Sequence, residues 1–572
     1  ISLRKRTNQS KRFIVSGEAA IRRILLGSNL AMLRSLLLFV LVAGATVTVW
    51  HGIGRPIAMP ASPLADGEKL TCISYAPFHG DQAPFSWDLR IPDEQIESDL
   101  KRLAPLTSCV RTYSAMGPQG RIAALAGKEG LKVLQGIWLN RNRAENRREI
   151  EAAIRLARQH PGVIEAFIVG NEVLLRGELP ASAIKGYLAE VKRRSGLPVT
   201  YADVWEFWLK SPELAPSTDF VTIHILPYWE DDPVSASDAV AHVKEIRAKL
   251  RQAFAGKEIL IGEVGWPSEG RMRAGALPSP ANQALVLSGV VAAAEAEGWK
   301  VNLIEAFDQP WKRVLEGTVG GYWGLFGDGA AKPKFRFGAP VSNEPEWRLA
   351  AGLGIGIAFL VFLSAFLGGR ESDAVPRTWR VDLSVALMAL ASGLTVGLAA
   401  ISLPMDSVEQ GDRLRTVGLF ALAVSVPLAA AFALAQGNRA AGFDIALDPS
   451  RWRRNGNLIG VVLAALLIAT MIAAMHVALG LVFDPRYKDF PFPALSGPVA
   501  ALAILAFGGA RDPARPGLAE IVGAGVLAGS AVFIIANEGI ANWQAVLFAC
   551  LLVVLALTLL QRPAVRSSER AA

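Results

Sequence analysis

The arrangement of long apolar runs constrains this chain more than any other feature of its sequence. One run precedes, and several follow, a stretch of ordinary polarity from about Pro56 to Trp347. A helix of about 20 apolar residues crosses the ~30 Å hydrocarbon core of a bilayer, so the runs predict eight membrane spans, of which one is short and bounded by prolines. The predicted spans are Leu33–Trp50, Leu349–Leu367, Leu383–Leu403, Val417–Ala435, Leu458–Phe483, Leu495–Phe507 (the short one), Ile521–Ala536 and Trp543–Leu560.

Basic residues are concentrated on one side of these spans. Loops on the cytoplasmic side of a membrane carry an excess of Lys and Arg, and the segments on the side of the N-terminus hold 20 such residues. The polar middle domain is therefore predicted to lie in the periplasm, outside a bacterial inner membrane, with both termini in the cytoplasm. The net charge of +8 follows from this topology, so we predict the lipid bilayer, and not a nucleic acid, as a partner.

The first span has a second interpretation, as the apolar region of a cleaved signal peptide. The small residues that would suit cleavage, Ala58 and Ala61, lie well beyond the apolar run, which favours an uncleaved anchor. The predicted organisation is a basic cytoplasmic segment (1–32), a transmembrane anchor (33–50), a catalytic domain (69–340), a seven-span domain (349–560) and a cytoplasmic tail (561–572).

The middle domain alternates short apolar runs with helical stretches such as Arg147–His160 and Ala236–Phe254. This alternation is typical of βαβ units that form a parallel sheet. Eight such runs predict a (β/α)8 TIM-like barrel, a fold of ~250 residues whose chemistry lies at the C-terminal ends of the strands. The predicted strands are Leu70–Ala76, Ser108–Tyr113, Lys132–Trp138, Val163–Val169, Pro198–Ala202, Asp219–Ile225, Glu258–Glu263 and Lys300–Phe307.

Two glutamates lie at predicted strand ends, Glu172 after the fourth strand and Glu263 at the end of the seventh. Paired carboxyl groups cleave glycosidic bonds: one protonates the leaving oxygen, and the other attacks the anomeric carbon when the two lie ~5–5.5 Å apart. The pair therefore predicts a retaining glycosidase. His224, in the sixth strand, has no His, Asp or Glu neighbours at metal-ligand spacing, so we expect a hydrogen-bonding residue of the site wall. We predict no metal ion and no cofactor.

These segments give the middle domain a resemblance to glycoside hydrolase family 17, the retaining β-1,3-glucanase-like barrels. The resemblance covers roughly residues 69–337, and Gln309 departs from plant members, which usually carry a glutamate there. It implies that Glu172 is the acid/base, that Glu263 is the nucleophile and that Asn171 binds the sugar 2-hydroxyl. It also implies that three further residues line the cleavage subsites, Tyr75, Tyr228 and Lys312. The matching strings are Val169-Gly170-Asn171-Glu172, Gly262-Glu263-Val264-Gly265-Trp266-Pro267-Ser268 and Phe307-Asp308-Gln309-Pro310-Trp311-Lys312.

Seven of the 14 tryptophans follow predicted strand ends. Sugar rings pack on aromatic faces, so these residues predict a sugar-binding rim, with core packing as the alternative for each and above all for two of them, Trp138 and Trp205. The other five are Trp208, Trp229, Trp266, Trp311 and Trp323. Glu305, close to the end of the eighth strand, is expected to orient Glu263 or to bind sugar. The candidate substrate-binding residues are Tyr75, Arg111, Asn171, Tyr201, Tyr228, Trp266, Glu305, Trp311 and Lys312.

Side-chain alternation along strands gives an expectation for the two cysteines of the middle domain. If Tyr75 and Arg111 point into the mouth of the barrel, Cys109 points inward and Cys72 points outward. Their Cβ vectors would then diverge, so we predict no disulfide.

The complete layout resembles the membrane-bound β-(1→6) glucan synthases of rhizobia, which implies periplasmic glucan assembly beside a separate synthase. The cytoplasmic loops are short and hold no Gly-rich phosphate loop, so synthesis from a nucleotide sugar is improbable for this chain alone. We predict cleavage of β-1,3-glucan and transfer of the glycosyl unit to another glucan, for elongation or 1→6 branching. A plain endo-β-1,3-glucanase and a non-catalytic glucan-binding or transport component are the alternatives.

The seven-span domain has few polar residues at or near its spans. Ionisable groups inside a membrane are functional candidates by default, but packing or capping is the favoured explanation here. The role of the bundle is left open between glucan passage, binding of a synthase and anchoring. The candidates are His476, Glu520, Asn537 and Glu538.

Overall fold

A computed structural model describes residues 32–86, 88–370, 378–455, 457–508 and 516–561. The predicted basic segment before Met32 and the predicted tail after Gln561 lie outside these residues. Several of the loop arginines that orient the predicted spans, Arg377, Arg511 and Arg515, also lie outside them. The orientation of the spans therefore stays a prediction.

Eight parallel strands close into a barrel in chain order, with β1 beside both β2 and β8. This arrangement confirms the predicted (β/α)8 TIM-like barrel. Several strands are shorter than the apolar runs that predicted them, because the outer ends of the first and eighth runs form only isolated bridges, Leu70 with Thr107 and Phe307 with Phe326. The strands are β1 (Cys72–Ser74), β2 (Cys109–Arg111), β3 (Lys132–Ile137), β4 (Ile164–Asn171), β5 (Val199–Val204), β6 (Val221–His224), β7 (Ile259–Val264) and β8 (Lys300–Leu303).

Helices cover the outside of the barrel and turn apolar faces toward it. In the first of them Ile96, Leu100 and Leu103 are buried at helical spacing. The helices are α2 (Asp93–Leu103), α3 (Ile122–Lys128), α4 (Arg143–Gln159), α5 (Ala181–Ser195), α6 (Trp205–Lys210), α7 (Ala239–Ala253), α8 (Pro280–Glu297) and α9 (Arg313–Gly320), and a further helix, α1 (Met32–Ile53), precedes the barrel.

The barrel interior changes from apolar to polar along its axis. Its floor is a small cluster of alternate strand residues that includes Leu134, Ile168 and Leu260. Toward the C-terminal ends of the strands, Asn302 Nδ2 donates to Ser74 Oγ at 2.8 Å and to the Gly262 carbonyl at 2.7 Å. This layering places hydrogen-bonding groups at the end of the barrel where a TIM-like fold carries its chemistry.

The prediction that Cys72 and Cys109 stay apart is wrong, because they form a disulfide between β1 and β2 with Cα atoms 4.4 Å apart. The error lies in the orientation of Tyr75. Its side chain points away from the barrel axis, and its hydroxyl donates to Asp99 Oδ2 on α2 at 2.7 Å. Alternation along β1 therefore turns Cys72 inward, to the side where Cys109 also lies.

Replacing both Cys72 and Cys109 by alanine is expected to lower the free energy of unfolding of the barrel by ~2–4 kcal/mol. The bond closes a loop across 37 residues of sequence, which restricts the unfolded chain. Thermal unfolding of the full chain in detergent, followed by tryptophan fluorescence with and without dithiothreitol, measures the effect. Cys550→Ala is the matched control, because Cys550 is a free, exposed cysteine. An unfolding temperature that neither the double substitution nor reduction lowers would contradict the prediction.

The C-terminal half is a helical bundle, and seven helices of the described chain, α1 included, are long and apolar enough to cross a membrane. The sixth predicted span, the short one, corresponds to α16, whose 16 residues rise only ~24 Å, and α16 packs against α11, α12 and α18. The bundle helices are α10 (Trp347–Arg370), α11 (Trp379–Met405), α12 (Gln410–Gln436), α13 (Phe443–Ala446), α14 (Pro449–Asn455), α15 (Leu458–Phe483), α16 (Phe492–Phe507), α17 (Leu518–Glu538) and α18 (Trp543–Leu560).

Helix α1 belongs to this bundle and is not an isolated anchor. The rings of Phe39 and Phe362 on α10 lie 5.8 Å apart, edge to face. Arg34 pairs with Asp382 on α11 at 3.1 Å. The helix before the barrel and the helices after it therefore form one packed unit.

The chain enters and leaves the barrel at neighbouring points. Ile57 and Val341 form an antiparallel bridge between the two connecting segments. At the membrane end of these connectors, Gly54 packs so closely on Trp347 that a Cβ at Gly54 would lie 2.2 Å from the indole ring. Only a glycine allows this approach of the two connectors.

Buried polar contacts hold the barrel on the bundle. Arg271, only 2% exposed, pairs with Glu538 at the end of α17, which is 8% exposed. Beside this pair, Asn542 Nδ2 donates to the Met272 carbonyl and the Met272 N–H donates to Gln544 Oε1, both at 2.8 Å. The orientation of the barrel relative to the bundle is thus fixed by specific hydrogen bonds.

The polar residues noted in the bundle sequence have different surroundings. Glu538 is the partner of Arg271, and Asn537 Nδ2 donates to Glu538 Oε1 at 3.2 Å. Glu520 is buried near the start of α17, whereas His476 is exposed on the surface of α15. Two of the four candidates therefore lie where the bundle meets the barrel.

Candidate active site

Glu172 and Glu263 lie side by side at the C-terminal ends of β4 and β7. Glu172 leaves β4 in a left-handed backbone conformation (φ 53°), which residues with a Cβ rarely adopt. Carboxylate oxygens of the two residues lie within 4.8 Å of each other. This proximity agrees with a retaining pair, whose carboxyl groups lie ~5–5.5 Å apart.

Glu263 is surrounded by buried donors. The fully buried Arg111 donates through Nη1 to Glu263 Oε1 at 2.6 Å, and the Tyr113 hydroxyl donates to the same oxygen at 3.1 Å. Burial alone would raise the pKa of Glu263, but the charges at His224, Arg111 and Lys312 outweigh it and lower this pKa below its usual value. Glu263 is therefore held as a carboxylate.

Arg111 also fixes the neighbouring amide. Its Nη2 donates to Asn171 Oδ1 at 2.5 Å, so this interaction sets which end of the Asn171 side chain is the oxygen. The group of Asn171 that remains for a ligand is then its Nδ2, a hydrogen-bond donor. Asn171 lines the same cleft as Glu172 and Glu263, where such a donor can meet a hydroxyl group.

His224, at the end of β6, bridges the two glutamates. Its Nδ1 lies 2.8 Å from Glu172 Oε1, and its Nε2 lies 3.7 Å from Glu263 Oε1. The three side chains also form a group that could hold a metal ion, a cluster that the spacing in the sequence did not indicate. The Arg111 guanidinium lies 3.5 Å from His224 Nε2 and would repel a cation there. Hydrogen bonding therefore accounts for the cluster better than metal coordination.

Glu305 and Lys312 form an ion pair in the wall of the cleft. Lys312 Nζ lies 2.9 Å and 2.8 Å from the two carboxylate oxygens of Glu305. Burial raises the pKa of Glu305 to about 7, although Lys312 acts in the opposite direction. Lys312 also lowers the pKa of Glu263. This residue of the cleft wall therefore favours the ionised form of Glu263.

The cleft around these groups has a volume of about 1230 Å³. Pockets for drug-sized ligands are typically ~300–1,000 Å³, so this cleft has room for several sugar rings. Four predicted substrate-binding residues, Asn171, Glu305, Trp311 and Lys312, line it, and Arg111 lies beneath it. The aromatic residues of its wall are Phe78, Phe85, Tyr113, Trp138, Phe207, Trp229, Trp311, Trp323 and Tyr487.

Four aromatic residues that the sequence predicted to bind substrate lie in the core instead. Each is at most 1% exposed, and Tyr75 and Tyr201 point outward from their strands because their neighbours in sequence point inward. The polar atom of each ring already has a partner: Tyr75 with Asp99, Tyr201 with Asp203, Tyr228 with the Arg271 carbonyl and Trp266 with the Leu277 carbonyl.

The tryptophans divide differently from the prediction. For Trp138 core packing was a strong alternative, but it lines the cleft, and the Arg176 guanidinium packs over its ring at 4.3 Å. Trp208, like Trp266, is fully buried, and its Nε1 donates to the Thr222 carbonyl at 2.7 Å. Trp205 lies outside the cleft lining, and its Nε1 donates to Glu230 Oε1 at 3.2 Å.

Sequence reasoning missed Tyr113 and left Gln309 unexplained. Tyr113 lies two residues after Arg111 and so shares its face of the strand, a signal that could have identified it. Gln309 donates to the Ala76 carbonyl at 3.2 Å and accepts from Trp311 Nε1 at 2.8 Å. A glutamate carboxylate could not donate, so the amide suits this buried position.

Comparison with known protein families identifies the class of the barrel. The model of the BtgE/BtgC glycoside hydrolase domain matches residues 72–324, the range that holds all eight strands. The barrel is therefore a glycoside hydrolase domain, as its paired carboxylates predicted. The matched range ends before α10, so this comparison leaves the bundle undescribed.

Curated relatives match the chain over a similar length. A glucan 1,3-beta-glucosidase of Candida albicans is 28% identical over 254 residues, which are 40% of this chain and 82% of the relative. A glucan 1,3-beta-glucosidase of Saccharomyces cerevisiae is 25% identical over 253 residues, 40% of this chain and 80% of the relative.

Solved structures with similar folds include two enzymes. A family 17 β-1,3-glucanosyltransferase from Rhizomucor miehei is 25% identical, with a TM-score of 0.42, and the match covers 47% of this chain and 98% of that chain. An endo-laminarinase from Formosa is 19% identical, with a TM-score of 0.41, and the match covers 48% of this chain and 90% of that chain.

Proposed function

We propose that this protein is a membrane-bound retaining enzyme that cleaves β-1,3-glucan and transfers the glycosyl unit to another glucan. The observation that carries the proposal is the approach of the Glu172 and Glu263 carboxylates to within 4.8 Å. The aromatic cleft supports an oligosaccharide substrate. The names of the curated relatives support β-1,3-glucan as the substrate class.

In the first step, the Glu263 carboxylate attacks the anomeric carbon while the Glu172 carboxylic acid protonates the leaving oxygen. The bond from the anomeric carbon to the leaving oxygen breaks, and an ester to Glu263 forms. Asn171 is the proposed donor to the sugar 2-hydroxyl. His224, at 2.8 Å from Glu172, holds the acid in position.

In the second step, Glu172 acts as a base. It takes the proton of an acceptor hydroxyl, whose oxygen attacks the anomeric carbon and releases the Glu263 carboxylate. If the acceptor is a sugar hydroxyl, the product is a longer or branched glucan; if it is water, the reaction is hydrolysis. The Glu172 side chain is 22% exposed, so it can meet either acceptor.

We place the barrel in the periplasm of a bacterial inner membrane, with both termini in the cytoplasm. The disulfide between Cys72 and Cys109 supports this location, because disulfides persist in oxidising compartments. Arg415 lies in a loop on the predicted periplasmic side, where a basic residue counts against this orientation. It pairs with Asp406 at 2.6 Å and with Asp412 at 3.2 Å and so adds little net positive charge there. In this location the enzyme would remodel glucan made by a separate synthase.

The test is to incubate the full chain in detergent micelles with β-1,3-gluco-oligosaccharides of single length. Mass spectrometry gives the sizes of the products, and methylation analysis gives their linkages. Products longer than the substrate, or new 1→6 linkages, are the expected result. Shorter sugars alone would identify a hydrolase and overturn the transfer step. A full chain that leaves every β-glucan unchanged would overturn the proposed activity.

Lys312→Met is expected to move the acidic limb of the pH profile of kcat/KM to higher pH. Lys312 lowers the pKa of Glu263, and the nucleophile must be ionised. Without this cation the pKa of Glu263 rises, so activity is lost at a higher pH as the solution is acidified. Initial rates between pH 3 and pH 8 measure the shift.

Lys334→Met is the matched control for Lys312. Lys334 also pairs with a buried carboxylate, that of Asp308 at 2.6 Å, but it lies outside the cleft lining. Its replacement should leave the acidic limb where the wild type has it. Equal shifts in both variants would show that a general loss of positive charge, and not the position of Lys312, sets the profile.

A further inference from the structure

The bundle contributes residues to the wall of the cleft. The loop between α15 and α16, residues 484–491, extends from the bundle toward the barrel. Arg486 and Tyr487 of this loop line the same cleft as Glu172 and Glu263. The cleft is therefore formed by two parts of the chain, and the glycoside hydrolase match at 72–324 contains only one of them.

The backbone of this loop is held firmly against the barrel. A Cβ on Gly317, in α9, would lie 2.1 Å from the Tyr487 carbonyl oxygen, and Gly317 has a φ of +69°. The buried Arg271 donates to the carbonyls of Pro485 and Lys488. These contacts make the loop a fixed part of the wall.

The two side chains meet an aromatic surface of the barrel. The ring of Tyr487 lies 6.0 Å from that of Trp229, and Trp229 stacks on Trp323 with ring centroids 6.4 Å apart and planes at 16°. The Arg486 guanidinium lies 5.7 Å from the Trp229 ring, and its Nη2 donates to the Trp229 carbonyl at 3.2 Å. An aromatic surface beside a guanidinium offers both the faces on which sugar rings pack and donors for sugar hydroxyls.

We propose that Arg486 and Tyr487 form, with Trp229, a glucan-binding subsite that the bundle adds to the barrel. Its ligand is a neutral β-linked gluco-oligosaccharide long enough to reach from the paired glutamates to Trp229. The inference rests on the proposed function, and it gives the bundle a part in substrate binding in addition to membrane attachment. Glucan chains are therefore bound at the surface where barrel and bundle meet.

The experiment measures kcat and KM of the full chain in detergent micelles on β-1,3-gluco-oligosaccharides of increasing length. Tyr487→Ala and Arg486→Ala are expected to raise KM about 3- to 10-fold for the longer oligosaccharides. For the shortest oligosaccharide that the wild type cleaves, both should raise KM much less. Tyr487→Phe keeps the ring and should raise KM for the longer oligosaccharides less than Tyr487→Ala does.

Lys488→Ala is the matched control, because Lys488 lies in the same loop but outside the cleft lining. The inference is overturned if Tyr487→Ala and Arg486→Ala show the same dependence on chain length as Lys488→Ala. It is equally overturned if they lose activity to the same extent on short and long substrates, since that result indicates a structural role. A wild-type chain inactive on every β-glucan would instead refute the proposed function, and this inference with it.

Discussion

Glu263→Ala is expected to lower kcat/KM on β-1,3-gluco-oligosaccharides by about 10⁴-fold or more, the scale on which loss of a nucleophile acts. Without the carboxylate no glycosyl-enzyme ester can form, so the first step loses its nucleophile. The space left by the side chain faces Arg111 and Tyr113, which both donate to Glu263 Oε1 in the intact site.

Those donors suit a small anion, so added azide should restore turnover of an activated aryl glucoside by Glu263→Ala. Azide would attack from the face that Glu263 occupied and give an α-glucosyl azide. Glu305→Ala is the matched control, since it removes a buried carboxylate of the same cleft that is not in line to attack. A β-glucosyl azide from Glu263→Ala, or rescue of Glu305→Ala, would contradict the assignment of the nucleophile.

Glu172→Ala is expected to lower kcat/KM about 10²- to 10⁴-fold for substrates whose leaving group is a sugar, because such a group must be protonated. An aryl leaving group of low pKa needs no proton, so the first step should proceed with it. The second step then lacks its base, and the glycosyl-enzyme should accumulate. Rapid-mixing measurements should show a burst of the released phenol.

The configuration of the product formed with azide distinguishes Glu172→Ala from Glu263→Ala. In Glu172→Ala azide would attack the intermediate on Glu263 and give a β-glucosyl azide, with the configuration of the substrate. His224→Ala is a useful comparison, because it removes the hydrogen bond to Glu172 at 2.8 Å and keeps the acid. On substrates whose leaving group is a sugar, His224→Ala should lose less activity than Glu172→Ala. Equal losses on aryl and sugar leaving groups in Glu172→Ala would contradict its role as the acid.

Much of the fold follows from periodicity and from the ends of strands. Eight apolar runs predicted eight strands, and the strand-end rule placed Glu172 and Glu263 together although 91 residues separate them. Parallel strands end at one face of a barrel, so this juxtaposition needed no contact information. Arg111 was also identified correctly as an inward-pointing residue.

The failures share a physical cause, which is the direction of single side chains. One wrong assignment, of Tyr75, reversed the alternation along β1 and concealed the disulfide of Cys72. Tyr201 was misplaced for a similar reason, because an aromatic residue of a barrel strand can face either the axis or the surrounding helices. The alternation of side chains along a strand fixes their directions relative to one another. To assign which of them face the barrel axis, the direction of one side chain on each strand must be known.

Arg486 and Tyr487 carried no signal of any kind in the sequence. Arg486 lies 257 residues from Trp229, in a short loop between two apolar helices. The position of Arg486 in the cleft depends on the orientation of the whole barrel relative to the bundle. That orientation follows from buried pairs such as Arg271 with Glu538, which no periodic pattern reveals.

The neighbouring entry and exit of the barrel have a consequence for the architecture of the chain. Because Ile57 pairs with Val341 and Gly54 packs on Trp347, the barrel is an insertion into a hairpin formed by α1 and α10. Insertions of this kind are tolerated where the two ends lie close together. A short turn in place of residues 55–346 would therefore reconnect α1 to α10 without moving either helix. The barrel is thus joined to the helical unit by only two neighbouring connectors, while buried contacts such as that of Arg271 with Glu538 fix its orientation.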